Sequence, residues 1–241
     1  LAPNRQANPA IAEKVTLRIK IAESARPGDR ELRLSAPTGL SNPLKFQVGQ
    51  VAEFTEPARR LTPEDFPERF RKAAAAPATK PKPDSSVSLP VVVNGQIMPG
   101  EVDRYRFHAR QGTKLVIAAS ARSLIPYLAD AVPGWFQATL ALYDAKGKEL
   151  AYDDDFRFNP DPVLYYEIPR EGDYVVEIKD SIYRGREDFV YRLSLSDQPF
   201  ITGIFPLGGR AGTTTRVELR GWNLPESQLT LEPKAIGLLP V

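Results

Sequence analysis

"DRYRFHARQGTKLVIAASA", residues 103–121, decides the fold class. Tyr105 and Phe107 alternate with Arg104, Arg106 and His108. Apolar residues two apart define a strand with one buried face, whereas a helix needs them three and four apart. Gln111-Gly112 supplies a turn, and the apolar run from Leu115 to Ala119 starts a second strand.

Working outward, the same unit recurs at short spacing. "LPVVVNGQI" precedes it; "ATLALYD", "VLYYEIP", "DYVVEIKD" and "FVYRLSLS" follow. Asn94-Gly95, Lys146-Gly147 and Glu171-Gly172 read as the turns between them. Short alternating strands with such punctuation form an antiparallel β-sandwich over residues 89–197. Tyr174 and Tyr191 fall at core positions. Tyr165 and Tyr166 face opposite ways, so one of them is exposed. One excursion, "SLIPYLADAVPGWF" at 123–136, is too long for a hairpin and reads as partly helical.

The flanks differ. In "VTLRIKI", Val15, Leu17, Ile19 and Ile21 share one strand face, and "RPGDRELRLSA" continues with hairpin signals, so residues 1–52 form a β block. Residues 53–88 form a linker. Within it Thr62 is an N-cap for a short helix with Pro63 at its first position, before the extended "PATKPKPDSS". Residues 198–241 restart the alternation, with Val217 and Leu219 inward and Arg216, Glu218 and Arg220 outward. Neither terminal block hides its core alone. Each is expected to pack on the sandwich, on the other block or on another chain.

Composition excludes several chemistries. The chain has 241 residues, 32 basic and 30 acidic, with both signs interspersed and no basic stripe, so nucleic acid is not an expected partner. No apolar run approaches the ~20 residues of a membrane span. With 0 Cys and 1 His, thiolate sites, disulfides and His-rich metal sites are out. The chain opens at Leu1 without a signal-like apolar stretch and is read as a mature or excised piece of an extracellular, cell-surface or periplasmic protein.

Several ordered segments carry a family resemblance: "VNGQIMPGEVDRYRFHARQGTKLVIAASA", "LALYDAKGKELAYDDD", "IPREGDYVVEIKD" and "FVYRLSLS". Together they resemble the bacterial pre-peptidase C-terminal domain. "FPLGGRAGTTTRVELRGWNL" is similar to the opening of an immunoglobulin-like IPT/TIG module, and "ARPGDRELRLSAPTGLSNPLKFQVG" to the end of one. The resemblance implies an all-β chain: a jelly-roll-like sandwich related to bacterial collagen-binding domains, flanked by Ig-like segments. It also implies a non-catalytic accessory of a multidomain protein, attached to a peptidase or to the cell surface. The expected partners are the neighbouring domains, with an extracellular protein or polysaccharide as a further ligand.

Candidate sites follow from acids and aromatics. Asp153-Asp154-Asp155 could offer a hard cation oxygen ligands together with Asn159 or Asp161, but lacks an EF-hand spacing. The preferred reading is a solvated corner whose acids accept backbone N–H bonds. Some related collagen-binding domains bind Ca²⁺ through linker acids and acids ahead of the second strand. The resemblance places those at Glu53 and Glu56 and at Glu101 and Asp103; Glu101 and Asp103, with Asp153 and Asp155 of the aspartate run, are the metal candidates. Arg59 and Arg60 stand where further oxygen ligands would be, so no resident cofactor is expected and Ca²⁺ is the alternative. Trp135, Phe136 and Tyr165 are the ligand-contact candidates of a carbohydrate- or protein-binding alternative, although a loop folding its aromatics inward is preferred for the first two. His108, on an Arg-lined face, reads as a surface residue. No G-x-S-x-G, S-x-x-K or H-E-x-x-H motif supplies a nucleophile or zinc site, so the chain is read as no enzyme, with a carboxylate-only hydrolase as the rival.

Overall fold

The computed structural model describes residues 15–56, 83–124 and 136–231. The helix expected from Thr62, the Pro-rich linker, Arg59, Arg60, Trp135 and most of the 123–136 excursion lie outside the described residues. The described residues up to Gln50 belong to one compact unit and those from Val51 onward to another.

In the first unit β1 (Gly28–Leu32) pairs antiparallel with β4 (Leu44–Val48), and between them β2 (Ser35–Ala36) pairs with β3 (Gly39–Leu40). The strand expected at Val15–Ile21 does not form: this stretch lies in no ladder and its apolar residues are 42–55% exposed. Alternation specifies a face, but a strand exists only where a neighbour completes its hydrogen bonds.

The second unit holds the sandwich. Its strands are β5 (Ala52–Thr55), β6 (Ser85–Ser86), β7 (Val91–Gln96), β8 (Val102–Ala109), β9 (Lys114–Ser120), β10 (Ala138–Asp144), β11 (Glu149–Asp153), β12 (Val163–Glu167), β13 (Gly172–Asp180) and β14 (Val190–Ser196). One sheet has the order β11-β10-β13-β8-β6 and the other β12-β9-β14-β7-β5. Pairing is antiparallel except at one edge of each sheet, where β5 runs parallel to β7 and β6 to β8. Tyr105, Phe107, Leu115, Ile117, Leu140, Leu142, Val176, Ile178, Leu193 and Leu195 fill the space between the sheets, each at most 2% exposed. The all-β sandwich read from the alternation is therefore the observed architecture. On β8, Tyr105 and Phe107 point in while Arg104, Arg106 and His108 point out.

Gly112 and Gly147 sit in turns with positive φ, 79° in both. Asn94-Gly95 is no turn: both residues are inside β7. Gly95 is required there by packing, because a Cβ would run into the ring of Tyr191, its direct cross-strand partner on β14.

A third sheet follows, of β15 (Phe200–Phe205), β16 (Thr215–Trp222) and β17 (Gln228–Leu231) in that order. Val217 and Leu219 are buried and Arg216, Glu218 and Arg220 exposed, as the alternation predicts. This sheet docks on the sandwich through Trp222, whose ring stacks on Tyr165 of β12 at 5.1 Å and on Phe200 at 5.8 Å, with Phe156 tilted against it at 5.7 Å. Asn223 Nδ2 adds a bond to the Lys114 carbonyl at 2.8 Å. Among the described residues no helix is long and apolar enough to cross a membrane.

Each aromatic contact of this kind contributes about 0.5–1.5 kcal/mol. Trp222→Ala is therefore expected to release the third sheet while leaving the sandwich folded. Limited proteolysis read by mass spectrometry should show new cleavage between 198 and 231 and a protected 83–197 core. An unchanged cleavage pattern would show that Trp222 does not hold the sheet.

Candidate functional site

The alternation that buries Tyr105 and Phe107 also buries Asp103, two residues earlier on β8 and 0% exposed. A carboxylate there needs donors. Tyr191, from the opposite sheet, donates its hydroxyl to Asp103 Oδ2 at 2.7 Å. The Tyr105 hydroxyl lies 2.6 Å from that of Tyr191 and, with the Tyr191 proton directed to Asp103, donates to it. Burial and then the Asp103 charge hold both phenols above the ordinary tyrosine range, so both stay neutral donors.

Two further acids approach Asp103. Glu101 closes a tight turn ahead of β8: its N–H donates to the Met98 carbonyl at 2.9 Å, and its Oε2 accepts the Met98 N–H at 3.0 Å. Glu56 follows β5, where Phe54 faces the core and meets Tyr105 edge-on at 6.1 Å. Period two puts Glu56 on the side of Phe54, and its Oε2 accepts the Gln96 N–H at 3.3 Å. One carboxylate oxygen from each of Glu56, Glu101 and Asp103 lies within 4.8 Å of the others. Glu53, on the opposite side of β5, instead pairs with Arg192 at 2.8 and 3.0 Å and accepts from Asn94 at 2.6 Å. Burial raises the Glu53 carboxyl, but these hydrogen bonds and the Arg192 charge together outweigh it and leave it below the usual range.

The structure thus brings Glu101 and Asp103 together with Glu56 and places the aspartate run elsewhere. β11 is separated from β8 by β10 and β13, about 14 Å of sheet. Asp153 Oδ2 accepts the Val163 N–H at 2.7 Å and so ties β11 to β12; Asp155 is exposed. Burial, and less strongly the Asp154 and Asp155 charges, push the Asp153 carboxyl up against the effect of that bond.

Two other acids do the same work, and sequence reading missed both roles. Asp161 receives Ala121 and Arg122 N–H on Oδ1, at 3.1 and 2.7 Å, and Ser123 N–H on Oδ2 at 3.0 Å, capping the 3₁₀ turn Arg122–Leu124. Asp180, 0% exposed, receives N–H groups of Gln137, Ile182 and Arg184 and pairs with the Arg184 guanidinium at 3.2 Å. The partners of Asp161 are some 40 residues away, so only its setting between Pro160 and Pro162 hints at a fixed position.

The aromatic candidates are covered where they are described. Phe136 is 1% exposed and stacks on Phe189 at 5.3 Å. One face of Tyr165 is taken by Trp222. His108 lies opposite Asp173 in the β8–β13 register, with Nδ1 3.0 Å from Asp173 and Nε2 3.5 Å from Glu171. It borders a cleft of about 470 Å³ whose polar groups include Ser88, Arg110, Thr113 and Asp197. A triad base would turn Nε2 toward a hydroxyl; here it faces Glu171.

The Asp173 hydrogen bond, then the one to Glu171, raises the His108 pKa. The stabilisation from this pair is therefore complete below the ordinary value of 6.5 and is lost as pH rises through the higher folded value. Denaturant midpoints followed across that range should fall for the native sequence and flatten in His108→Gln. Equal slopes for both would remove His108 as the titrating group.

No protein-family model matches this chain. Over 80 residues it is 32% identical to a probable subtilase-type serine protease of Deinococcus radiodurans; the match spans 33% of this chain and only 10% of the protease's length. Among solved structures it is similar to the pre-peptidase C-terminal domain of a collagenase from Bacillus anthracis, at 16% identity and TM-score 0.36, over 49% of this chain and 100% of that domain. It is also similar to two periplasmic inhibitors of g-type lysozyme, each at 13% identity over 47% of this chain and 98% of the inhibitor. One is from Aeromonas hydrophila (TM-score 0.30) and the other is a mutant of the Escherichia coli protein (TM-score 0.31). A pre-peptidase C-terminal domain, the family resemblance read from the sequence, is thus among the solved structures similar to this chain.

Proposed function

We propose that this chain is a non-catalytic accessory module of a larger secreted or cell-surface protein that carries a peptidase, with its terminal blocks belonging to Ig-like neighbours in the same array. One observation carries the non-catalytic reading: the acidic corner at Asp153, the loop acids Asp161 and Asp180 and the histidine are tied into the fold. Asp153, Asp161 and Asp180 hold backbone N–H groups at loop ends, and both ring nitrogens of His108 face carboxylates. The stretch shared with a subtilase-type serine protease supports attachment to a peptidase. Incubated with protein, ester and glycoside substrates, the purified chain should turn over none of them above background. A rate that disappears in Glu101→Gln, Asp153→Asn or His108→Gln would replace this reading by a hydrolase.

A second reading rests on the grouping of Glu56, Glu101 and Asp103. Three all-oxygen donors at that spacing fit a hard cation such as Ca²⁺, which takes six to eight oxygens and would draw the rest from backbone carbonyls or water. Bound ion would offset the mutual repulsion of the carboxylates. The sequence expectation of no metal rested on Arg59 and Arg60, which lie outside the described residues. Binding to the folded state alone adds about 2.7 kcal/mol at a hundredfold excess over Kd. Melting in millimolar Ca²⁺ against chelator should then show a rise of several degrees, abolished in Glu101→Gln. Coincident melts would retire the cation and leave the cluster as structural.

A further inference from the structure

The turn at Phe156–Asn159 breaks a local rule. Asn159 N–H donates to the Phe156 carbonyl at 3.0 Å, and the two central residues, Arg157 and Phe158, have φ of 53° and 65°. These are the angles of a mirror-image turn, where Asn-Gly is the usual choice because a Cβ is penalised at positive φ. Arg157 recovers part of that penalty. Its guanidinium donates to the Thr202 carbonyl at 3.1 Å and lies 5.2 Å over the Phe156 ring, which packs on Trp222. Phe158 recovers none: it is 102% exposed. A large apolar side chain held out on strained backbone points to a receiving surface elsewhere.

Such a surface exists on the third sheet. A cavity of about 330 Å³ opens between Ile204, Pro206, Leu207 and Val217, with Arg210 also lining it. Its walls are mostly apolar, and Leu207 is 84% exposed. A dry apolar cavity of ~150 Å³ already holds benzene, so a phenyl ring fits. Charge is complementary as well: Asp154 and Asp155 precede the turn, while Arg210 lines the cavity. The knob is anchored at Trp222 and the cavity reaches Thr215, the two ends of β16, about 23 Å apart. Phe158 is fully exposed and so does not occupy the cavity of its own copy, which leaves that cavity to a second copy.

We infer that this chain associates head to tail, with Phe158 of one copy entering the Ile204–Leu207–Val217 cavity of the next and Asp155 meeting Arg210. Such a heterologous contact builds a ring where the rotation between copies closes and a growing series where it does not, and either is larger than the single chain.

Sedimentation velocity of the whole chain up to ~1 mM should show a sedimentation coefficient that climbs with concentration. Phe158→Gly should weaken association at least tenfold, the loss expected for a central anchor, while raising the melting temperature, because glycine suits positive φ. The opposite signs separate binding from folding. Leu207→Asp closes the cavity to an apolar ring, so Phe158→Gly and Leu207→Asp mixed in equal amounts should form dimers and nothing larger. Arg210→Glu should weaken association and Asp155→Arg in the same chain should restore it. A native chain that stays monomeric throughout, a Phe158→Gly variant that associates like the native chain, or a mixture without dimers would overturn the inference.

Discussion

The hydrogen-bond chain from Tyr105 through Tyr191 to Asp103 joins the two sheets at their most constrained point. A carboxylate at the inward-facing Asp103 position is tolerable only if the opposite sheet delivers donors. Tyr191 can reach it because its cross-strand neighbour on β7 is Gly95; any side chain there would occupy the volume of the phenol ring. One glycine, one buried acid and two phenols therefore fix how the sheets stack. Around them Phe54, Phe136 and Phe189 complete an aromatic layer.

The same solution recurs at the loops. An all-β chain must satisfy backbone donors wherever a strand ends. Here Asp153, Asp161 and Asp180 each hold N–H groups distant in sequence or across a turn. An acid used in this way is drawn out of solvent and held among donors, which from sequence looks like catalysis or metal binding. In Asp161 and Asp180 both carboxylate oxygens accept protein hydrogen bonds.

The outer faces follow a different rule. Arg104 pairs with Glu177 across β8 and β13 at 2.9 Å, Lys179 with Glu177 along β13 at 3.3 Å, and Arg104 and Arg106 with Asp84 ahead of β6 at 3.3 and 2.9 Å. These pairs cover the outer face of the sheet with both signs of charge. Phe158, Phe205 and Leu207 are among the large apolar side chains left exposed.

The period-two pattern of residues 103–121 and its repeats determined the sandwich, the inward and outward faces of β8 and β16, and the glycine turns at 112 and 147, because strand geometry is local and alternation alone specifies a face. The family resemblance, and not spacing, marked Glu53, Glu56, Glu101 and Asp103 as acids worth following. Only the tertiary structure decided which acids meet. Glu56 joins them from a strand that runs parallel to β7, whereas Glu53, three residues earlier, turns to Arg192, 139 positions away. It also decided that Gly95 is a packing site and not a turn, that Val15–Ile21 lacks a ladder, and that Asp161 caps residues 121–123. Each of these depends on what arrives from a distant strand, and sequence spacing carries no record of that arrival.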